Sequence, residues 1–382
     1  AYFAMILSIS LFAMISLWCS SFFQRTSAAL VVSYLMILPL AMVGVLIWQS
    51  LERMGEARLL VIFTVVPVAC ISIGAILWAD TVRRLLKAPE LGSEGKQVID
   101  LETEAEEAVG LYIKRDEFPD RLFAPPRRTD FLHEKANPIY DKEIRSEIFS
   151  QGTLMLRLVI QISMVLALPI MAACLYIKQQ LAPWYISYVL LFNMLVGPVF
   201  SAGSVTSERE RETLDLLLNT LITPWQMLWG KLLSGLRVSS VLSSFLMWPV
   251  LLACIMPLDY WSNLPTMGGY FLVFACTCLT TAMTALFCST IFRRTSSSLM
   301  ATYLVILTLF LGPVAADRFV DYFLPNGTAA QFAQLFEIFS PFAAVFNLPL
   351  HVSDQPSPPL VHVSVFWGYI VFTLLYNSAL LL

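Results

Sequence analysis

Residues 13–40 read AMISLWCSSFFQRTSAALVVSYLMILPL, and residues 282–309 read AMTALFCSTIFRRTSSSLMATYLVILTL. Fifteen of the 28 aligned positions are identical, and one of them pairs Cys19 with Cys288. Each copy consists of an apolar run, a short basic turn and a second apolar run. A long stretch that recurs within one chain indicates an internal duplication. The duplicated unit is a pair of membrane helices, which decides the fold class.

The composition of the whole chain also indicates a membrane protein. Apolar residues make up 58% of the 382 residues, charged residues make up 13%, and the mean hydropathy is +0.72. A helix needs about 20 apolar residues to cross a bilayer, and it satisfies its own backbone hydrogen bonds in lipid. We therefore predict an all-α, polytopic transmembrane helical bundle with about nine spans. The predicted spans are residues 2–20, 28–48, 59–79, 154–177, 184–205, 232–256, 269–291, 299–315 and 361–382.

Lys and Arg residues are distributed unequally between the two sets of alternating loops. One set carries 18 of the 24, twelve of them between Arg83 and Arg145, and the opposite set carries four. Basic residues are retained on the cytoplasmic side, so we place the richer set inside. Within that set, Arg293 and Arg294 either anchor this topology or bind anionic lipid headgroups.

Matching the two copies predicts a tandem of six-span units. The second copy, residues 137–382, has three spans before the repeated pair and one after it. The first copy, residues 1–88, retains the pair and one following span, so we expect three leading spans to be missing from it. Six is even, so both copies share one orientation, as parallel repeats require. Residues 89–136, between the copies, are acidic and poor in aromatics, which predicts a flexible cytoplasmic linker.

A short amphipathic segment precedes the spans of the second copy. It reads NPIYDKEIRSEIF from Asn137, and its apolar residues recur four positions apart. Lys142, Glu143 and Arg145 lie on the opposite face. This pattern predicts a short helix that lies flat at the membrane surface.

The outer loop, residues 316–360, contains an apolar stretch that resembles a tenth span. Glu337 and the pair Ser340-Pro341 interrupt it. We therefore predict a re-entrant or outer-leaflet hairpin at residues 329–350 instead of a further crossing.

The most informative polar segment is residues 207–231, between two predicted spans. It opens with five charges, continues with a stripe of leucines and ends with Lys231. Since Pro disfavours helical torsions in the residue before it, we expect Thr223-Pro224 to end the leucine helix. Two interpretations remain open, a solvated helix with internally paired charges and a lever that docks into another protein. The charges are Glu208, Arg209, Glu210, Arg211 and Glu212, and the leucines are Leu214, Leu217, Leu218 and Leu221.

This segment resembles the signature of ABC transporter permeases of the second export class, also called type V exporters. That signature is Glu-Arg-Glu-x-Gly-Thr-Leu-Glu, followed by a Leu-rich helix, a Thr-Pro pair and Gly-Lys. Asp215 replaces the last Glu of the signature here, and Glu212 replaces its Gly. Residues from Asn137-Pro138 to Arg145 also resemble the elbow helix of that family. The matching residues are Glu208, Arg209, Glu210, Thr213, Leu214, Leu217, Leu218, Thr220, Thr223, Pro224, Gly230 and Lys231.

The resemblance implies the membrane permease subunit of an ABC exporter, with two six-span halves fused in tandem and the first half truncated. It implies that residues 207–231 form a coupling helix on which separate ABC ATPase subunits, with two nucleotide-binding domains, are docked. It also implies a bacterial inner (plasma) membrane, with the linker and coupling helix in the cytoplasm. Membrane lipid and a further accessory subunit are expected partners, and nucleic acid is not.

The sequence gives no support to an enzymatic function. Neither Gly-Lys pair, at Gly95 and at Gly230, has the flanking residues of a phosphate-binding loop. The three His residues match no metal or nucleophile motif. We therefore expect no catalytic residue, no metal and no cofactor in this chain.

A secondary transporter with parallel repeats is the alternative interpretation. It would require ionisable residues deep within the spans, and almost none are found there. Asn193 is the clearest polar side chain in the middle of a span, and we predict that it makes an interhelical hydrogen bond.

Overall fold

The computed structural model describes nine stretches of the chain. Their regular structure is helical and includes no strand, which confirms the predicted all-α bundle. The predicted linker, residues 89–136, lies outside the described residues. The described stretches are residues 2–23, 26–50, 61–86, 137–146, 153–174, 181–255, 264–323, 335–348 and 363–381.

The helices have the lengths that a bilayer requires. In the described stretches, eight are long and apolar enough to cross a membrane. The one remaining predicted span, residues 154–177, corresponds to a helix from Thr153 to Ala172. The described apolar part of this helix, Ile160–Ala172, is shorter than one crossing. Long apolar runs form helices here because a backbone surrounded by lipid must pair within its own segment.

The chain divides into two compact units, which we describe separately. Unit 1 comprises Ala1–Glu134 with Ile144–Ser163, and unit 2 comprises Lys135–Glu143 with Met164–Leu382. In unit 1, α1 packs against both α2 and α3. These helices are α1 (Tyr2–Phe22), α2 (Thr26–Ser50) and α3 (Val66–Leu85), and a π-helical turn (Val61–Val65) precedes α3.

A polar cluster joins α1 to α3. The Asp80 carboxylate accepts hydrogen bonds of 2.8 Å from Trp18 Nε1 and from Arg84 Nε. The Arg84 guanidinium lies 3.5 Å from the centroid of the Phe22 ring. The two donors satisfy the carboxylate near the end of α3, and the cation–π contact holds the Arg84 side chain against α1. The sequence did not point to Asp80, because Trp18 lies 62 residues away from it.

Unit 2 is organised around α6. Of the membrane-length helices described, α6 has the largest buried share. It packs against α9 and α10, and α10 also packs against α11 and α13. The boundary between the units falls within α4 (Pro138–Ser146) and within α5 (Thr153–Ala172). The helices wholly in unit 2 are α6 (Ala182–Ser201), α7 (Thr206–Glu210), α8 (Leu214–Leu218), α9 (Pro224–Ile255), α10 (Leu264–Ile291), α11 (Thr295–Phe323), α12 (Pro341–Phe346) and α13 (Val363–Leu381).

Side-chain hydrogen bonds connect the core helices of unit 2. Asn193 Oδ1 on α6 accepts from Ser243 Oγ on α9 at 3.4 Å and from Cys278 Sγ on α10 at 3.2 Å. The interhelical role predicted for Asn193 is therefore confirmed. Thr277 Oγ1 on α10 also lies 2.9 Å from the Tyr369 hydroxyl on α13. Such bonds between membrane helices each contribute about 0.6 kcal/mol on average.

The two copies of the repeated sequence form similar arrangements of helices. Helices α1 and α2 carry the first copy, and α10 and α11 carry the second. In each unit, the first helix of the pair packs against the second. α1 also packs against α3, and α10 also packs against α6, α9 and α13. Cys19 and Cys288 are both buried. Each copy of the repeat thus forms a pair of packed helices, and the tandem organisation stays a prediction.

Helix α11 is longer than the span predicted at residues 299–315. It continues to Phe323, so the loop predicted at residues 316–360 begins later than expected. Asp317, which was assigned to that loop, is 8% exposed on the last turns of α11. The helix can continue there because residues 316–324 contain no Gly or Pro, and Pro325 follows shortly after its end.

The outer segment at residues 335–348 is interrupted where the sequence predicts. A 3₁₀ turn, Glu337–Phe339, is followed by Ser340 in an extended conformation and then by α12. Ser340 Oγ accepts a hydrogen bond of 3.4 Å from Ala343 N, which caps α12. The break at Ser340-Pro341 is therefore confirmed, and the re-entrant path of residues 329–350 stays a prediction.

Candidate functional site

The connector, residues 206–223, joins α6 to α9 and contains the short helices α7 and α8. The sequence predicts one leucine helix that ends at Thr223, and this is wrong because α8 ends at Leu218. Thr223 instead begins α9, since Gln226 N donates to Thr223 Oγ1 at 3.3 Å and Thr223 N donates to Gln226 Oε1 at 3.2 Å. With Pro224 at the first helical position, this reciprocal pair is a capping box.

The break between α7 and α8 occurs at Glu212. Its φ of 58° makes it the one described non-Gly residue with a positive φ. Thr213 N donates to Glu208 O at 2.9 Å, and Glu212 N donates to Arg209 O at 3.2 Å. These two bonds form a Schellman motif, whose left-handed position is usually Gly. The signature quoted above has Gly at this position, and Glu212 therefore occupies it with strain.

Glu208 joins the connector to α4 and to α9. Its Oε1 lies 2.8 Å from Lys142 Nζ on α4 and 3.7 Å from Lys231 Nζ on α9. Thr213 Oγ1 donates to Oε2 of the same carboxylate. Lys231 also lies 2.7 Å from Glu143 Oε1. Two carboxylates and two ammonium groups thus form a balanced network, which buried charges require.

Arg209 binds the end of α10. Its Nη1 donates to Phe292 O at 2.8 Å, and its Nη2 donates to Thr290 O at 3.2 Å. The last carbonyl groups of a helix have no partner within the helix and carry partial negative charge. The guanidinium therefore satisfies these carbonyls and stabilises the dipole of α10.

Glu210 binds the start of α11. Its Oε1 accepts a hydrogen bond of 2.7 Å from Thr295 N, and its Oε2 accepts another from Thr295 Oγ1. A carboxylate at a helix N-terminus satisfies a free N–H group and interacts favourably with the positive end of the dipole. The Glu-Arg-Glu triplet thus ties one short helix to the ends of both α10 and α11.

The remaining connector residues divide into a buried and an exposed group. Leu214 packs against a buried cluster that includes Val205, Leu232 and Leu286. The four leucines predicted to share one face are therefore separated, because the backbone leaves the helix after Leu218. Thr220 Oγ1 donates to Leu217 O, and Leu217 is half-buried. The exposed apolar side chains are Leu216, Leu218, Leu221 and Trp225, which are 54–104% exposed.

The predicted elbow helix is α4, and it docks on α9. Asn137 Oδ1 accepts from Ile139 N at 3.1 Å, which caps α4, and Asn137 Nδ2 donates to Gln226 O at 2.7 Å. A Cβ on Gly230 would lie 3.1 Å from Asn137 and from Tyr140 N, so only Gly allows this close approach without a shift. Pro138 begins α4.

The structure describes some, but not all, of the other side chains predicted to be important in α4. Lys142 and Glu143 contact the connector and α9 as described above. Arg237 Nη1 on α9 donates to the Tyr140 hydroxyl at 3.1 Å, a contact that the sequence did not reveal. The Arg145 side chain lies outside the described residues. Among the side chains that the structure describes, no group of three or more His, Cys, Asp or Glu could hold a metal ion.

Most of the chain matches a known protein family. A family model described as ABC-2 family transporter protein matches residues 135–382, about two thirds of the chain. No curated protein and no solved structure matches the chain significantly. The matched region includes α4, the connector and all the helices that the Glu-Arg-Glu triplet contacts.

Proposed function

Because the chain belongs to the ABC-2 family of transporter proteins, whose members are membrane permeases of ABC transporters, we propose that it is the permease subunit of an ABC exporter of the type V class. In this proposal, separate ATPase subunits hydrolyse ATP and dock on the connector. The connector then transmits their movement to the membrane helices. Substrate crosses the membrane between two permease halves.

The observation that carries the proposal is the distribution of the triplet's contacts. Glu208, Arg209 and Glu210 are consecutive, yet each one binds a different element. A displacement of α7 therefore acts on α4, α9, α10 and α11 at once. A solvated helix whose charges pair within one turn would contact none of these elements, so the geometry favours a lever.

A separate group of residues is available to the ATPase. Leu216, Leu218 and Leu221 are exposed on the connector. Exposed apolar residues next to charged ones are typical of interaction surfaces. Arg211 and Glu212 are also exposed. In our proposal the three exposed leucines of the connector meet the ATPase, and the triplet behind them passes the motion inward.

The tandem organisation is part of the same proposal. Residues 1–88 are taken as the last three spans of a first permease half, and residues 137–382 as the second half. The common arrangement of α1–α2 and α10–α11 supports this assignment. Two halves would bind two nucleotide-binding domains. We propose that the chain lies in a bacterial inner membrane. We place the connector on its cytoplasmic side, because Arg209, Arg211 and Lys231 belong to the loops rich in basic residues.

The test uses candidate ABC ATPases from the same genome. Each candidate and this chain are co-expressed, purified together and reconstituted, and ATP hydrolysis is measured with and without the permease. Leu218→Glu should lower co-purification at least tenfold, since a buried charge replaces an apolar contact. Leu86, 80% exposed at the end of α3, provides the matched control, and Leu86→Glu should bind normally. Equal co-purification of both variants would contradict the proposal, as would an absence of ATPase binding to the unaltered chain.

A further inference from the structure

An apolar cavity lies beside the first turns of α9. It encloses about 270 Å³ between α9, α10 and α13, and its lining residues are hydrophobic apart from Thr290. Leu232, Met283 and Leu286 line it and also belong to the buried cluster of this region. The volume is close to the lower limit for ligand pockets, so the cavity fits part of a hydrocarbon chain and not a whole amphiphile.

The cavity opens at the ends of membrane helices. Trp225, Phe287 and Leu381 line it and are 42–54% exposed. The rings of Trp225 and Trp229 pack edge to face, with their centroids 5.6 Å apart. Trp is enriched at the membrane–water interface, where its ring meets both acyl chains and headgroups. Since α9 begins here and α10 ends here, the opening lies at the level of the headgroups.

Positive charge lies beside the opening. Arg209 donates to the carbonyl oxygen of Thr290, a lining residue, so its guanidinium lies at the rim. Arg293 lies two residues after Ile291, the last residue of α10, and is exposed. A cationic rim around an apolar cavity matches a molecule with an anionic head and a hydrocarbon tail.

From this complementarity we infer that the cavity binds one anionic phospholipid from the leaflet on the connector's side. One acyl chain enters between α9, α10 and α13, and the phosphate binds near Arg209 and Arg293. A protein partner fits less well, because the cavity lies among helix ends at headgroup depth and its floor is a buried membrane core. The bound lipid contacts Trp225 and Trp229, so its binding can be measured through the fluorescence of these two residues.

The experiment uses the full chain in nanodiscs of phosphatidylcholine with increasing fractions of phosphatidylglycerol whose acyl chains carry bromine. Bromine quenches nearby Trp fluorescence. The chain has nine Trp residues, so the signal of the double variant Trp225→Phe/Trp229→Phe is subtracted. A bound lipid gives quenching that saturates at a low fraction of phosphatidylglycerol. Brominated phosphatidylcholine gives quenching that only follows its bulk fraction.

Three variants separate a site from general lipid contact. Thr290→Phe blocks the cavity and should remove the saturable quenching. Arg293→Gln should raise the half-saturating fraction about fivefold, because one basic residue near the headgroups contributes about 1 kcal/mol. Arg318 is exposed near the C-terminal end of α11, far from the cavity along that helix, so Arg318→Gln should leave the half-saturating fraction unchanged.

The inference is overturned if quenching follows the bulk fraction for both lipids, which leaves the cavity to a protein partner. It is also overturned if Thr290→Phe retains the saturable quenching. Native mass spectrometry gives an independent count of retained phosphatidylglycerol, and one molecule fewer in Thr290→Phe is the expected result.

Discussion

Lys231 Nζ lies 2.7 Å from Glu143 Oε1 and joins α9 to α4 at a point where the Lys231 side chain is 1% exposed. The same ammonium lies 3.7 Å from Glu208 Oε1 and donates to Ser204 O at 2.6 Å. A buried charge persists only where opposite charges and hydrogen bonds surround it. Lys231 is therefore the common partner of the elbow helix, the connector and α9.

Removal of the Lys231 ammonium should destabilise unit 2 strongly. Lys231→Ala leaves two carboxylates without their buried partner, and breaking such a pair costs about 3–5 kcal/mol. Lys142→Ala is the control, since the Lys142 side chain is 54% exposed and an exposed ion pair contributes at most about 1 kcal/mol. Denaturant unfolding in detergent measures both variants, and similar midpoints would show that Lys231 is not the junction.

The left-handed torsion of Glu212 predicts a stabilising substitution. A φ of 58° costs a non-Gly residue about 1–2 kcal/mol of strain. Gly avoids this strain, but it also raises the conformational entropy of the unfolded chain, which offsets part of the gain in stability. Glu212→Gly should therefore stabilise the protein by up to about 1 kcal/mol, measured by the same unfolding experiment. Arg211→Gly, at an ordinary φ of −88°, should not stabilise it. If both variants lower stability equally, the Schellman motif is not the native geometry.

The stability of the outer segment, residues 335–348, should depend on pH because of Glu337. Burial and the neighbouring Asp317 carboxyl raise the pKa of Glu337 from 4.5 to about 7. The folded segment therefore retains a proton that the unfolded chain releases, so this contribution to stability is full below pH 4.5 and is lost as the pH rises through about 7. Hydrogen exchange of residues 335–348 should become faster, beyond the intrinsic rate change, between about pH 5.5 and about pH 8.

Glu337→Gln supplies the control for that measurement. It keeps the size of the side chain and cannot ionise, so most of the pH dependence of exchange should disappear. Exchange that responds to pH equally in both proteins would assign the effect to another group.

The helix class and most spans could be predicted because a bilayer imposes length and composition directly on sequence. The positions of the helix ends were harder to predict from the sequence. For α11 the apolar pattern weakens after Ala315, yet the helix continues to Phe323, since Asp317 is buried by tertiary contacts that hydropathy does not record. The capping box of Thr223 and Gln226 was readable in principle, because Thr-Pro-x-Gln is a helix start signal.

The positions of the site residues could be predicted, but their partners could not. The five charges after Ser207 were singled out from sequence, and their division into three anchors and two exposed residues depends on α4, α10 and α11. Lys142 lies 66 residues from Glu208, and Thr295 lies 85 residues from Glu210. Contacts at such separations leave no periodic signal. Glu212 was noted as a departure from Gly, and only the backbone torsion shows its cost.

The anchoring of α11 by Glu210 predicts a variant that uncouples the transporter. Glu210→Ala removes both hydrogen bonds to Thr295 but leaves the exposed leucines intact. We expect normal co-purification with the ATPase and a loss of at least half of the permease-dependent change in ATP hydrolysis. Arg211→Ala, on an exposed neighbour, should retain the coupling. Full coupling in Glu210→Ala would show that the triplet does not transmit motion.

The most direct test of the central claim is a contact between the connector and the ATPase. A photoreactive amino acid is placed at Leu218 and, as a control, at Leu86, and the reconstituted complex is irradiated with and without ATP. The account predicts a cross-link to the ATPase from position 218, with a yield that changes at least twofold on ATP binding, and none from position 86. Equal yields at the two positions, or no cross-link from position 218 while the ATPase remains bound, would contradict it.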